Sequence, residues 1–205
     1  MSAPMVFTGL WTLGSFLMGS VPFSVLIGRL ITGKDIRGLG DGNPGAANAW
    51  RAGSWPVGVL ALLLDYFKGA LPVGCGHFIL GIQGWGLGMV AIAPVVGHAF
   101  SPFLRFRGGK GLAVTFGVWT GLTLGEAPIL LGLLLGLFYL VLNVEAWAVA
   151  VGMVLLMVHF VSGHAGVVVL AVAGVNTVLL LWTHRRDLRR KPGLRPWLRR
   201  RDKGR

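Results

Sequence analysis

Lys110-Gly111-Leu112-Ala113-Val114-Thr115-Phe116-Gly117-Val118-Trp119 opens the stretch that decides the fold, because from Gly111 to His184 there is no Lys or Arg. Before His184, Glu126, Glu145, His159 and His164 are its acidic and histidine residues. A soluble fold does not go so long without basic residues, since about 25% of its residues are ordinarily charged. The stretch is long enough for several membrane spans of roughly 17–25 residues each. Its punctuation sets how many. Gly125-Glu126-Ala127-Pro128, Asn143-Val144-Glu145 and Ser162-Gly163-His164 recur at intervals of about 18–19 residues and carry turn-favouring or polar side chains. Four short helices follow, over about 111–124, 128–142, 146–161 and 165–183.

The rest of the chain obeys the same logic. It is 54% hydrophobic and 13% charged, and its net charge of +12 is gathered in clusters. Arg29, Lys34, Arg37 and Arg51 form one basic loop; Arg105, Arg107 and Lys110 form a second; eleven of the 19 Lys/Arg follow His184. Basic clusters beside apolar runs mark cytoplasmic loops. Two loops on one side need an even number of spans between them, and Trp55–Gly74 and Phe78–Gly97 supply two. The run Val6–Ile31 supplies one more, and no charged side chain precedes Arg29, which places the N-terminus outside. The expected architecture is an all-α integral membrane protein, a bundle of seven short transmembrane helices with the C-terminus inside. Five spans plus re-entrant segments is the alternative, because a 15-residue helix covers only about 22 Å. Residues 1–183 form a single transmembrane domain with cytoplasmic loops at about 32–54 and 98–111. Residues 184–205 form a basic cytoplasmic tail.

Composition excludes several classes. The basic charge lies beside spans, so membrane lipids rather than nucleic acid are its partner. Cys75 is alone, so there is no disulfide framework. The N-terminal run lacks the basic region and cleavage site of a signal peptide. His77, His98, His159, His164 and His184 show no ligand spacing, so neither a metal nor a cofactor is expected. His159 and His164 fall near the outer end of a span and are structural or interfacial. Asp65 and Lys68, three apart on one span, neutralise each other as a structural pair. Trp11, Trp55, Trp85, Trp147 and Trp182 flank spans as an aromatic belt. Trp197 rests on the membrane surface, and the tail beyond Arg190, poor in apolar residues, is expected to carry little order. Most of the 33 glycines serve close helix packing.

Three polar segments hold the unusual chemistry. The first runs from Gly19-Ser20-Val21-Pro22-Phe23 through Asp35-Ile36-Arg37 to Gly40-Asp41-Gly42-Asn43-Pro44-Gly45-Ala46-Ala47-Asn48-Ala49-Trp50-Arg51. The second is Gly97-His98-Ala99-Phe100-Ser101-Pro102-Phe103-Leu104-Arg105-Phe106-Arg107-Gly108-Gly109-Lys110-Gly111, and the third is His184-Arg185-Arg186-Asp187-Leu188. The second reads as a phosphate cradle. Glycines expose backbone N–H groups and allow the positive φ of an anion nest. Lys110 adds a point charge, and the turn opens a helix whose N-terminus favours anions. It is not a P-loop: Leu104 stands where Gly is needed, and Gly111 follows the lysine. A basic juxtamembrane turn accounts for the same residues equally well. Arg51 suits a bidentate phosphate contact.

In this order the three segments resemble the cytoplasmic motifs of the bacterial membrane acyl-phosphate:glycerol-3-phosphate acyltransferases. The likeness covers most of the chain: the Gly-Ser-x-Pro-Phe entry, the Gly-x-Gly-Asn loop ending in Arg, the Leu-Leu-Asp-x-x-Lys-Gly helix and the Gly-Gly-Lys-Gly loop. It implies a seven-helix bundle in the bacterial inner membrane with a cytosol-facing site for acyl-phosphate and glycerol 3-phosphate, and metal-free first-step phospholipid synthesis. On that basis Asn43, Asn48, Arg51 and Lys110 match substrate-binding positions, and His184 the C-terminal histidine. Three positions depart. Asp41 stands where the family has Ser, Asp187 where it has Asn, and Arg190-Lys191-Pro192-Gly193 replaces a Gly-Thr-Glu segment. The expected reaction is attack of the sn-1 hydroxyl on an acyl-phosphate carbonyl, giving lysophosphatidic acid. Candidate catalytic residues are Asp41, His184 and Asp187; candidate phosphate-binding residues are Asn43, Asn48, Arg51, Arg107, Gly108, Gly109, Lys110 and Gly111. An enzyme that supplies acyl-phosphate is a further expected partner. The alternatives are a non-catalytic relative that binds phosphorylated lipid precursors and a small anion transporter, which would show repeated halves with helices broken at the midplane.

Overall fold

The computed structural model, which describes residues 3–198, breaks the first apolar run at Val21-Pro22, so α1 (Ala3–Ser20) and α2 (Phe23–Thr32) replace one continuous span. Proline has no N–H to continue a helix, and a carbonyl left unpaired in hydrocarbon costs several kcal/mol. Distant side chains supply the partners. Ser101 Oγ donates to the Ser20 carbonyl at 2.6 Å, and Lys68 Nζ donates to the Val21 carbonyl at 2.8 Å. Lys68 also lies 2.8 Å from Asp65 Oδ1, an ion pair whose geometry falls short of a hydrogen bond, while Ser24 Oγ donates to Asp65 Oδ2 at 2.6 Å. Asp65 and Lys68 are each 2% exposed. Desolvating each ion costs several kcal/mol, which the pairing and the extra hydrogen bonds offset.

The first polar loop contains one 3-10 turn, Ile36–Gly38, and the short helix α3 (Ala46–Ala52). α4 (Trp55–Gly74) continues as a π-turn over Cys75–Ile79. The next helix, α5 (Gly84–Ala99), therefore begins later than the Phe78 expected from sequence; Gly81 and Gly84, both at positive φ, make the turn between them. α6 (Leu112–Thr123), α7 (Glu126–Val141), α8 (Glu145–Ser162) and α9 (Val167–Leu188) follow, close to the four helices expected from the breakers. Five helical stretches are long and apolar enough to cross a membrane, and α6 and α7 are shorter apolar helices. The short α7 still reaches both ends of the bundle. At its start Glu126 Oε1 lies 2.9 Å from His159 Nε2 near the end of α8. At its end the Val141 carbonyl accepts from Arg195 N at 2.9 Å, beyond the end of α9. α7 thus covers the depth that α8 covers, and the bundle has seven passes.

Glycine permits a close helix contact between α4 and α6. A Cβ on Gly69 would collide with the Val114 carbonyl, and one on Gly117 with the Tyr66 carbonyl. At the centre Trp119 is fully buried, packs with its ring tilted 32° to that of Phe160 at a centroid distance of 4.9 Å, and donates from Nε1 to Asn176 Oδ1 at 3.1 Å. Asn176 passes the chain on to Thr115 Oγ1 at 3.1 Å. The outer shell is apolar, with Leu133, Ile129 and Leu10 among its exposed residues, as a lipid-facing surface requires. Trp11 is not a belt residue: its Nε1 donates to the Pro72 carbonyl at 2.9 Å between helices.

The segment after α9 differs most from expectation. Residues 191–198 fold back on the α7–α8 turn. Asn143 and Gly193 exchange two hydrogen bonds of 2.9 Å, Leu142 and Leu194 form an antiparallel bridge, and Trp147 Nε1 donates to the Arg190 carbonyl at 2.9 Å. Arg195 Nε also donates to the Tyr139 carbonyl. Backbone groups at a helix C-terminus, not apolar burial, hold this segment.

Candidate active site

Where the first polar loop, the Gly-Gly-Lys-Gly loop and the end of α9 meet, Lys110 is held by two carboxylates. Its Nζ lies 2.6 Å from Asp41 Oδ2 and 2.7 Å from Asp187 Oδ2. Partial burial works against the ammonium, but the hydrogen bonds it donates to Asp187 and Asp41 raise its pKa above the ordinary lysine value. Burial likewise pushes the Asp41 carboxyl up, and the hydrogen bonds it accepts from Lys110, Asn43 N–H and Asn48 outweigh that and hold it below the usual carboxylate range. The sequence placed these three residues on separate segments, and the fold brings them into contact.

Asn48 organises the first loop. It is 1% exposed, and its Nδ2 donates to the Leu39 carbonyl at 2.9 Å, Asp41 Oδ1 at 3.0 Å and the Asn43 carbonyl at 2.9 Å. Its Oδ1 accepts from Arg51 Nη1 at 2.7 Å. The amide expected to face phosphate is therefore spent on shaping the loop and aiming Arg51. Asn43 joins the two loops, its Oδ1 accepting from Lys110 N at 3.1 Å. Further out, Arg37 and Arg29 pin Asp35, whose carboxyl lies well below its ordinary pKa, chiefly through the Arg37 side chain.

The second loop differs from a nest. The N–H groups of Gly108 and Gly109 donate to the carbonyls of Ala99 and His98, both at 3.1 Å, so they are not free donors for an anion. Glycine is required there for another reason: a Cβ on Gly108 would strike the His98 carbonyl, and one on Gly109 the His98 ring. Positive φ occurs instead at Arg105, Phe106 and Gly111. Gly111 caps α6, whose first residues Leu112 and Ala113 face a cavity beside Lys110.

Two cavities meet at this lysine. The larger, about 1430 Å³, is lined by Arg37, Arg105, Arg107, Arg185 and Arg186 with Phe103 and Phe106. The smaller, about 760 Å³, is lined by Arg51, His184, Leu62, Phe116 and Tyr139, with Asp65 and His98 at its wall. Asp41, Asn43, Lys110 and Asp187 border both. Arg51 and Arg107, nominated together, thus face different chambers. His184 Nδ1 lies 2.8 Å from the Leu180 carbonyl. A carbonyl only accepts, so Nδ1 carries the proton and Nε2 holds the lone pair. Thr183 Oγ1 fixes the second loop by donating to the Lys110 carbonyl at 2.8 Å. Sequence reasoning missed Thr183, the Arg185–Arg186 wall, and the contribution of Asn143 and Glu145 to the smaller cavity. Their signal was position, next to His184 or in a turn on the basic side.

The polar end of a bundle with two arginine-lined chambers agrees with known proteins. Residues 9–191 match the family model described as glycerol-3-phosphate acyltransferase. A glycerol-3-phosphate acyltransferase of Thermus thermophilus is 38% identical over 183 residues, covering 88% of this chain and 89% of that protein. Glycerol-3-phosphate acyltransferase 1 of Thermotoga maritima is 45% identical over 120 residues, 57% of this chain and 58% of that protein. The crystal structure of PlsY (YgiH), an integral membrane glycerol 3-phosphate acyltransferase, in its glycerol 3-phosphate form superposes with a TM-score of 0.82 at 30% identity, covering 89% of this chain and 90% of that one. With sequence, fold and the placement of its polar loops in agreement, the chain belongs to the glycerol-3-phosphate acyltransferase family.

Proposed function

We propose that this protein transfers an acyl group from acyl-phosphate to the sn-1 hydroxyl of glycerol 3-phosphate, producing lysophosphatidic acid in the bacterial inner membrane. The site faces the cytoplasm, and the N-terminus lies outside. The observation that carries this is the meeting of two arginine-bearing chambers at Lys110. Two anionic substrates need two cationic seats a short distance apart, and holding reactants in attack geometry is a large part of catalysis. The apolar side of the smaller chamber, with Leu62, Phe116 and Tyr139, suits an acyl chain.

The chemistry asks little else, because phosphate is a good leaving group. The glycerol hydroxyl oxygen attacks the acyl carbonyl carbon. The carbon–oxygen bond to phosphate then breaks, and phosphate departs with the electron pair. His184 Nε2 takes the hydroxyl proton and passes it to the departing phosphate. Lys110 and Arg51 stabilise the charge that builds on the oxyanion and leaving group, and Asp41 and Asp187 orient Lys110. Substrate phosphate competes with these two carboxylates for the ammonium. That competition also favours a second reading, a relative that binds phosphorylated lipid precursors without turning them over. Acyl transfer by the purified protein in lipid decides between them. Lysophosphatidate formation that Arg51→Ala abolishes supports the enzyme; no product from folded protein supports the binding protein.

A further inference from the structure

The segment folded back after α9 has two unlike faces. Its inner edge is bound to the α7–α8 turn through Gly193 and Arg195, at the wall of the smaller chamber, where Arg190, Asn143 and Glu145 are lining residues. Its outer face exposes Trp197, 65% accessible, with Leu194 at 48% and Leu198 at 39%. Arg189 and Lys191 are exposed at its start, and the sequence continues with Arg199, Arg200 and Arg201. The family match ends at residue 191, so nearly all of this segment lies outside it.

Exposed indole and leucine flanked by arginine and lysine are the chemistry of a membrane interface with anionic head groups: the apolar side chains enter the head-group boundary and the cations take lipid phosphates. We propose that residues 189–198 are a strap that binds the anionic lipid surface with its outer face while its inner edge holds the wall of the smaller chamber. No acidic side chain lies among residues 188–198 to oppose such a surface. Apolar contact alone would dock the strap on any bilayer, whereas three exposed cations in this stretch, Arg189, Arg190 and Lys191, make docking depend on lipid charge.

The test uses the full chain with Cys75→Ala and Leu198→Cys, labelled with an environment-sensitive fluorophore and reconstituted in vesicles whose phosphatidylcholine is brominated in its acyl chains. Adding phosphatidylglycerol should deepen quenching of the label. Arg189→Gln with Lys191→Gln should raise the phosphatidylglycerol fraction needed, since each basic side chain changes the bound-to-free ratio roughly fivefold. Amide exchange at Gly193 and Arg195 should slow in the same anionic vesicles. Equal quenching in pure phosphatidylcholine, no quenching in either, or exchange rates indifferent to lipid charge would overturn the proposal. Neither readout depends on acyl transfer.

Discussion

Replacing Lys110 with methionine tests the organisation of the site most directly. Nζ lies 2.6 and 2.7 Å from the two carboxylates, so their oxygens are at most about 5 Å apart. Without the ammonium, a substrate phosphate at such a distance is repelled by these carboxylates by roughly 1–3 kcal/mol, taking an effective dielectric between those of the protein surface and water because all three side chains are partly exposed. A substrate phosphate also loses a charge-assisted hydrogen bond of about 1.5–3 kcal/mol. Together these predict a KM for glycerol 3-phosphate about 10²- to 10⁴-fold higher. The two parts separate in a triple variant. Asp41→Asn and Asp187→Asn added to Lys110→Met remove the repulsion but not the lost contact, so roughly 5- to 100-fold of the KM increase should be recovered. Initial rates in reconstituted membranes, at saturating acyl donor, measure this. A KM unchanged by Lys110→Met, or a triple variant that binds worse than the single one, would refute the reasoning.

Three further outcomes follow from the same geometry. His184→Gln should lower kcat by roughly 10²- to 10⁴-fold while leaving KM nearly intact, and the acidic limb of the pH–kcat profile should disappear; retained kcat would rule out His184 as the base. The Asp41–Lys110 pair should stabilise the fold evenly across neutral pH. A depressed carboxyl contributes above its unfolded value of 3.8 and loses that as pH falls through the lower folded value; a raised ammonium contributes below 10.5 and loses it as pH rises through the higher one. The difference in melting temperature between the wild type and Asp41→Asn/Lys110→Met should therefore be flat between those limits, and a step near neutrality would contradict it. Lys68→Met leaves Asp65 buried and unpaired and should cost about 3–5 kcal/mol, with Asp65→Asn restoring part of it; an unchanged melting temperature would show the pair is not structural.

Charge spacing made the bundle legible. The basic clusters fixed parity, and the turns at 125–128, 143–145 and 162–164 fixed four helices that the structure reproduces within a few residues. What spacing cannot show is a break inside a continuous apolar run. Pro22 announced the α1–α2 break only to a reader who knew that Ser101 and Lys68 would serve the freed carbonyls. The site was legible as residue types and not as bonds. Asp41, Asp187 and Lys110 stand out in sequence one by one, and their mutual contact is a property of the fold. Sequence alone makes Gly108 and Gly109 donors because glycine commonly exposes N–H groups, whereas here the ring and carbonyl of His98 exclude any side chain. Composition predicts little order after Arg190 because it counts apolar burial and ignores the carbonyls at the end of α7 that hold residues 191–198; residues 199–205 lie outside the described ones.

The break at Val21-Pro22 also bears on how the protein is made. The side-chain partner of the Val21 carbonyl, which also accepts from Phe23 N–H, is 47 residues downstream, and that of the Ser20 carbonyl is 81. A nascent chain that has threaded its first span into the bilayer carries an unfinished helix that water, the insertion machinery or lipid head groups must attend. α4 and then the second polar loop have to arrive before that debt is discharged. Synthesis order thereby becomes assembly order: the first segment inserted is among the last to be completed, and it closes only when the loop bearing Lys110 is delivered.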